Sequence, residues 1–147
     1  MRVNNLEEAL KKALANTFAL YTKIHIAHWN VEGQNFHEYH KFLDDFYNEV
    51  WEAVDAIAEH IRTLDIYAPT SMSEFLELSD IDAQMMVQRA SQMLEELLHD
   101  NNTVIDSLET AYKYAGAHLG LQNFLQDRID AHEKWGWMLR ATLKRTK

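Results

Sequence analysis

The chain has 147 residues, with 14 Lys and Arg against 23 Asp and Glu and a formal net charge of -9. That length fits one domain over residues 1–147, and the acidic balance argues against general affinity for nucleic-acid phosphates, which rests on clustered basic residues. With no cysteine, disulfides, thiolate metal sites, iron-sulfur clusters and cysteine nucleophiles are all excluded, and any metal must use His, Asp or Glu.

One proline and four glycines leave the chain without the punctuation of a sheet protein, so an all-α fold is predicted. A first helix opens with Asn5 as N-cap and Glu8 at the third helical position. It carries Leu6, Leu10, Leu14, Phe18 and Tyr21 towards Gly33, over about 28 residues. A second opens near Asn35, carries Phe42, Phe46, Val50, Val54, Ile57, Ile61 and Leu64, and stops before Pro69. The S-x-x-E box of Ser71 and Glu74, followed by Phe75, Leu76 and Leu78, predicts a short helix inside the connection that follows. A third long helix is predicted from about Asp82 to Tyr114 and a fourth from about Leu121 to Leu143, with Gly116 and Gly120 at the break. A connection long enough to cross the bundle predicts a ferritin-like four-helix bundle with a short extra helix between its second and third helices; an up-down-up-down bundle with a decorated loop is the other arrangement. Met85, Met86, Met93, Phe124 and Trp137 are expected to be core residues. The amino terminus has no uncharged apolar stretch and nothing approaches the roughly 18 apolar residues of a membrane span, so a cytoplasmic protein is expected.

Five potential metal ligands fall between positions 28 and 59: His28, His40, Asp44, Asp55 and Glu59. Such an oxygen-and-nitrogen donor set suits iron. At roughly 100° per residue, His40, Asp44, Trp51, Asp55 and Glu59 share one flank of the second helix, beside the apolar face rather than on it. Di-iron bundles usually point their ligands inward, using two Glu-x-x-His motifs. This chain has a single one, at Glu96 and His99, of a kind that arises easily by chance. The offset stripe therefore predicts that its ligands face another copy of the same subunit across a twofold interface. Read on charge alone, Asp44, Asp55 and Glu59 equally describe a solvated acidic face. His28 alone reads as a core histidine, though the turn at Gly33 can bring it towards His40. His25, His37 and His60 read as surface or interface residues.

The segment His28-Trp29-Asn30-Val31-Glu32-Gly33-Gln34-Asn35-Phe36, with His40, Asp44 and Asp55-x-Ile57-Ala58-Glu59, closely resembles the signature of the Dps-type mini-ferritins. The run Asp127-Arg128-Ile129-Asp130-Ala131-His132-Glu133-Lys134, with Trp137-Met138-Leu139-Arg140 after it, is similar to the family's last helix. The resemblance implies a hollow homododecamer that oxidises Fe(II) at twofold interfaces and stores ferric mineral inside, protecting against oxidative damage. In it, His28 and His40 match ligands from one subunit, Asp55 and Glu59 match ligands from its partner, and Asp44 matches a supporting acid. Trp29 matches an aromatic that handles oxidising equivalents, and reads equally as interface packing. Hydrogen peroxide is the implied oxidant; the residues themselves do not separate it from dioxygen. Asp127 and Asp130 match the acids of the iron-entry pore, and also read as surface ion-pair partners. Many members bind DNA through a lysine-rich amino-terminal arm, of which only Arg2 is present here. Arg140, Lys144, Arg145 and Lys147 form a modest basic cluster, so DNA binding is not the expected activity. The alternative function is a cage that sequesters metal or coats DNA without catalysis.

Overall fold

The computed structural model describes residues 5–144. Its helices are α1 (Asn5–Asn30), α2 (Phe36–Thr63), α3 (Met72–Leu78), α4 (Ala90–Tyr114) and α5 (Leu119–Leu143). Leu6, Leu10 and Leu14 of α1 and Leu43, Phe46, Val50, Ile57 and Ile61 of α2 are buried in one core with Met93, Leu97, Val104 and Leu108 of α4 and Leu125 and Leu139 of α5. The apolar stripes therefore lie where their helical spacing puts them. Arg2, Arg145 and Lys147 lie outside the described residues.

Helix direction separates the two possible bundles. Lys23, late in α1, pairs with Glu96 and Asp100, early in α4, each at 2.7 Å. Ala9, early in α1, lines a cleft with Ser107 and Thr110, late in α4. Helices α1 and α4 are therefore antiparallel, which makes α2 and α4 parallel and requires the chain between them to run the length of the bundle. That is the ferritin-like connection, and the up-down-up-down arrangement is excluded.

The predicted midway helix forms, with the Ser71 hydroxyl capping it by accepting from the Glu74 N–H at 3.1 Å. The third long helix begins at Ala90, not at Asp82. Residues 81–89 are instead held irregular by local polar contacts and by burial of Ile81 and Met85. Asp82 Oδ1 accepts from the Gln84 N–H at 3.0 Å in an Asx turn, the competing conformation that Asp offers a helix start. Asn16 Oδ1 accepts from the Asp80 N–H at 2.7 Å and the Ser79 hydroxyl at 2.9 Å, tying this crossover to α1. Met85 and Met93 are core residues as expected, but Met86 and Trp137 are 60% and 58% exposed and Phe124 is only partly buried. Met86 follows the buried Met85 in the irregular crossover, where helical spacing no longer decides which side chain turns inward.

A buried polar network fastens α2 and α4 to α5. Glu49 of α2 forms a two-pronged ion pair with Arg128 of α5 and accepts from Trp135 Nε1 at 2.9 Å. Arg128 Nη2 donates to His132 Nε2 at 2.8 Å, and His132 Nδ1 donates to Asn101 Oδ1 at 2.9 Å. His132 thus uses one nitrogen as acceptor and one as donor, which only the neutral ring can do. Burial first, and the Arg128 charge second, hold its pKa well below the usual imidazole value. The unfolded chain, with an ordinary imidazole, therefore takes up this proton first as the pH falls. Its stabilising contribution is full above about pH 6.5 and drains below it, by at most about 1.4 kcal/mol per pH unit. His132→Gln should flatten the loss of stability between pH 7 and 5, measured as urea midpoints against the unsubstituted protein.

Candidate metal centre

Gly33, at φ +99°, and Asn35, at φ +67°, turn the chain from α1 into α2 through two left-handed positions. The reversal brings His28, in the last turn of α1, against His40, in the second turn of α2. Their rings stack at a centroid separation of 3.7 Å. His28 Nδ1 donates to the His40 carbonyl at 2.8 Å, and His40 Nδ1 donates to the His28 carbonyl at 2.8 Å. Each ring thereby has its tautomer and orientation fixed by the other residue's backbone, leaving Nε2 of each as a lone-pair donor. Metal-ligating histidines commonly donate their other ring N–H to a carbonyl or a carboxylate in this way. The twelve-residue spacing across a tight turn was the signal for this pair; the reciprocal carbonyl bonds have no signature in sequence.

His28 is only 9% exposed, whereas Trp29 beside it is 64% exposed. His40 and Asp44 are half-buried, and Asp55 and Glu59 are exposed on the same stripe of α2. Asp44 accepts from the Asn48 side chain at 3.3 Å and lies 3.9 Å from the Lys41 ammonium. Burial, and then the neighbouring Asp44 carboxylate, raise the pKa of the Tyr47 hydroxyl. At about 1.5 Å rise per residue, Asp55 sits about 22 Å along α2 from His40, so one ion cannot touch both within a chain. Asp55 and Glu59 are one turn apart. Among the described residues, no three metal-ligating side chains converge on one point. The structure thus brings His28 and His40 together, keeps Asp44 one turn away, and holds Asp55 and Glu59 apart from them.

Trp29, His25, Tyr47, Tyr21 and Trp51 form a continuous band of rings beside the histidine pair. His25 stacks on Tyr47 at 3.8 Å and meets Trp29 at 4.3 Å, and Tyr21 meets Trp51 at 4.8 Å. Burial, and then the charge of His28, lower the His25 pKa. His37 is exposed, and His60 packs on Phe124 at 4.3 Å. The lone Glu-x-x-His of α4 is occupied differently: Glu96 and Asp100 enclose the ammonium of Lys23, which is 1% exposed. Asp127 and Asp130 are exposed on α5, as are Arg140 and Lys144 near its end. No helix is long and apolar enough to cross a membrane among the described residues.

A family model described as a ferritin-like domain matches residues 7–147. A low temperature-induced protein of Nostoc sp. is 32% identical over 139 residues, covering 92% of this chain and 78% of that protein. A DNA protection during starvation protein of Bacillus anthracis is 30% identical over 138 residues, covering 92% and 94%. The crystal structure of a Dps protein from Vibrio cholerae, described as one of the ferritin-like diiron-carboxylate proteins, superposes with a TM-score of 0.90 at 28% identity, covering 95% and 89%. The chain belongs to the ferritin-like family and, within it, to the Dps-type mini-ferritins.

Gly33 has open space around the position of a Cβ, so a substitution there meets only backbone strain. Gly33→Ala should cost about 1–2 kcal/mol in chemical denaturation, because an L-residue resists the left-handed region.

Proposed function

We propose that this protein is a ferroxidase and iron store: it oxidises Fe(II), with hydrogen peroxide as oxidant, at sites shared between two subunits, and keeps the ferric product inside a dodecameric cage. The observation that carries the reading is the separation on α2. Two carbonyl-anchored imidazoles stand at one end of an exposed stripe and two carboxylates about 22 Å further along it. A twofold axis across that stripe sets the histidines of one subunit against the carboxylates of the other and builds the same site twice. His28 and His40 then supply neutral nitrogen donors, and Asp55 and Glu59 of the facing subunit supply anionic oxygen donors. Asp44 adds charge beside the histidines, and Trp29 lies at the mouth of the site.

Iron is the substrate. Nitrogen and carboxylate oxygen donors hold Fe(II), and the anionic carboxylates favour the higher charge of Fe(III), which drives oxidation. The overall step is two Fe(II) with one hydrogen peroxide and two protons, giving two Fe(III) and two waters. The charge of -9 suits a protein that attracts cations, and Asp127 and Asp130 are assigned to the entry pore on the family resemblance. The same reading makes the chain one ferritin-like domain acting in the cytoplasm.

Complementation tests the shared site. His28→Ala with His40→Ala, and Asp55→Ala with Glu59→Ala, should each lower the rate of peroxide-driven Fe(III) formation at least tenfold, as loss of metal ligation does. Mixed subunits of the two variants, refolded together in equal amounts, should regain roughly a quarter of the sites, since only one pairing joins an intact histidine half to an intact carboxylate half. Activity in either variant equal to the unsubstituted protein removes the ferroxidase assignment, and no recovery on mixing removes the sharing between subunits.

A further inference from the structure

The band of rings beside His28 contains a hydrogen bond with redox consequences. The Tyr21 hydroxyl lies 2.9 Å from His25 Nδ1. The two residues are one helical turn apart on α1, a spacing that places their side chains together. A phenol gives up an electron readily only when its proton leaves at the same time, and here the acceptor nitrogen is already in place. Tyr21 is also joined to both ends of the stripe. Its ring is 6.2 Å from Tyr47, which is 5.2 Å from His28. On the other side Tyr21 is 4.8 Å from Trp51, which lies one turn before Asp55 on the same flank of α2.

We propose that Tyr21, with His25 as its proton acceptor, is an electron donor to the oxidation site at His28 and His40, and that Tyr47 and Trp51 extend it into a path between the two half-sites of one chain. The inference rests on the ferroxidase reading above. Hydrogen peroxide needs two electrons to become two waters, and one Fe(II) supplies one. With a single Fe(II) at the site, that electron alone would split peroxide into hydroxide and hydroxyl radical. Tyr21 supplies the second: the phenol loses an electron to the oxidant, its proton passes to His25 Nδ1, and a neutral phenoxyl radical remains. A further Fe(II), at the same site or at the one reached through Trp51, returns the electron while His25 returns the proton. The sum is again two Fe(II), one hydrogen peroxide and two protons giving two Fe(III) and two waters. Because the half-sites of one chain belong to two different shared sites, one subunit connects both oxidation centres of a twofold pair.

The test uses the assembled protein in two arms, both read by electron paramagnetic resonance after rapid freezing. In the first, iron-free protein is oxidised by light with ruthenium tris-bipyridine and persulfate. The tyrosyl signal should fall severalfold in Tyr21→Phe, which keeps the ring, and in His25→Phe, which keeps an aromatic ring beside Tyr47 but accepts no proton. It should persist in Tyr67→Phe, whose tyrosine is 76% exposed and outside the band. In the second arm, Fe(II) and hydrogen peroxide are added with a hydroxyl-radical spin trap. Tyr21→Phe should lose the early tyrosyl signal and raise the trapped radical severalfold while still forming Fe(III). A signal in the light arm that is unchanged by Tyr21→Phe overturns the inference whatever iron does, as does an unchanged trap yield in protein that oxidises iron normally. A wild-type rate no faster than that of the ligand variants overturns the ferroxidase reading instead, and the light arm still decides the role of Tyr21.

Discussion

Each of the two imidazoles at the head of the α1–α2 hairpin donates to the other's backbone carbonyl, at 2.8 Å in both directions, and the placement of the candidate site follows from this exchange. The carbonyls belong to the last turn of α1 and an early turn of α2, so the bonds fix the register of the two helices as well as the rings. Once that register is set, Tyr47 falls against His25 and Trp51 against Tyr21. The outward stripe of α2 is thereby aligned with the end of α1. The turn that permits it needs two left-handed residues, which Gly33 accepts without strain and Asn35 tolerates better than most side chains.

The opposite flank of α2 is held by other chemistry. Glu49 is tied to Arg128 and Trp135, and through Arg128 to His132 and Asn101. Phe46 stacks on Trp135 at 4.5 Å. A helix anchored along one flank by a buried, fully directional network cannot rotate to hide its other flank. The exposure of Asp55, Glu59 and Trp51 is therefore imposed by the fold, and an exposed indole beside two carboxylates suits a surface to be covered by another protein chain more than one left in water.

The helices, the direction of the apolar stripes and the capped midway helix were legible because each depends on local spacing or a local cap. The start of α4 was not: the pattern from Asp82 onward resembles a helix, but burial of Ile81 and Met85 together with the polar contacts of Asn16 selects an irregular crossover. Tertiary contacts of this kind lie some sixty residues apart and leave no periodic trace. The histidine pair was legible in part, since a twelve-residue interval across a glycine turn places it, whereas the bonds that orient the rings are made to backbone and are invisible to a reading of side-chain types. The Tyr21 and His25 spacing of four was in plain view and pointed to contact, but only the 2.9 Å hydroxyl-to-nitrogen distance gives that contact chemical meaning.

Lys23 adds a constraint of a different kind. A ferritin-like bundle that carries its metal among its helices places acidic side chains in the interior, and their charge must be balanced there. In this chain the balancing charge is covalent: the ammonium of Lys23 sits between Glu96 and Asp100, and their hydrogen bonds and fields outweigh its burial to raise its pKa. One ammonium faces two carboxylates, and burial, with the second negative charge of Glu96 beside it, raises the pKa of Asp100. Helices α1 and α4 are thus clasped at this level by a cation that the polypeptide itself carries.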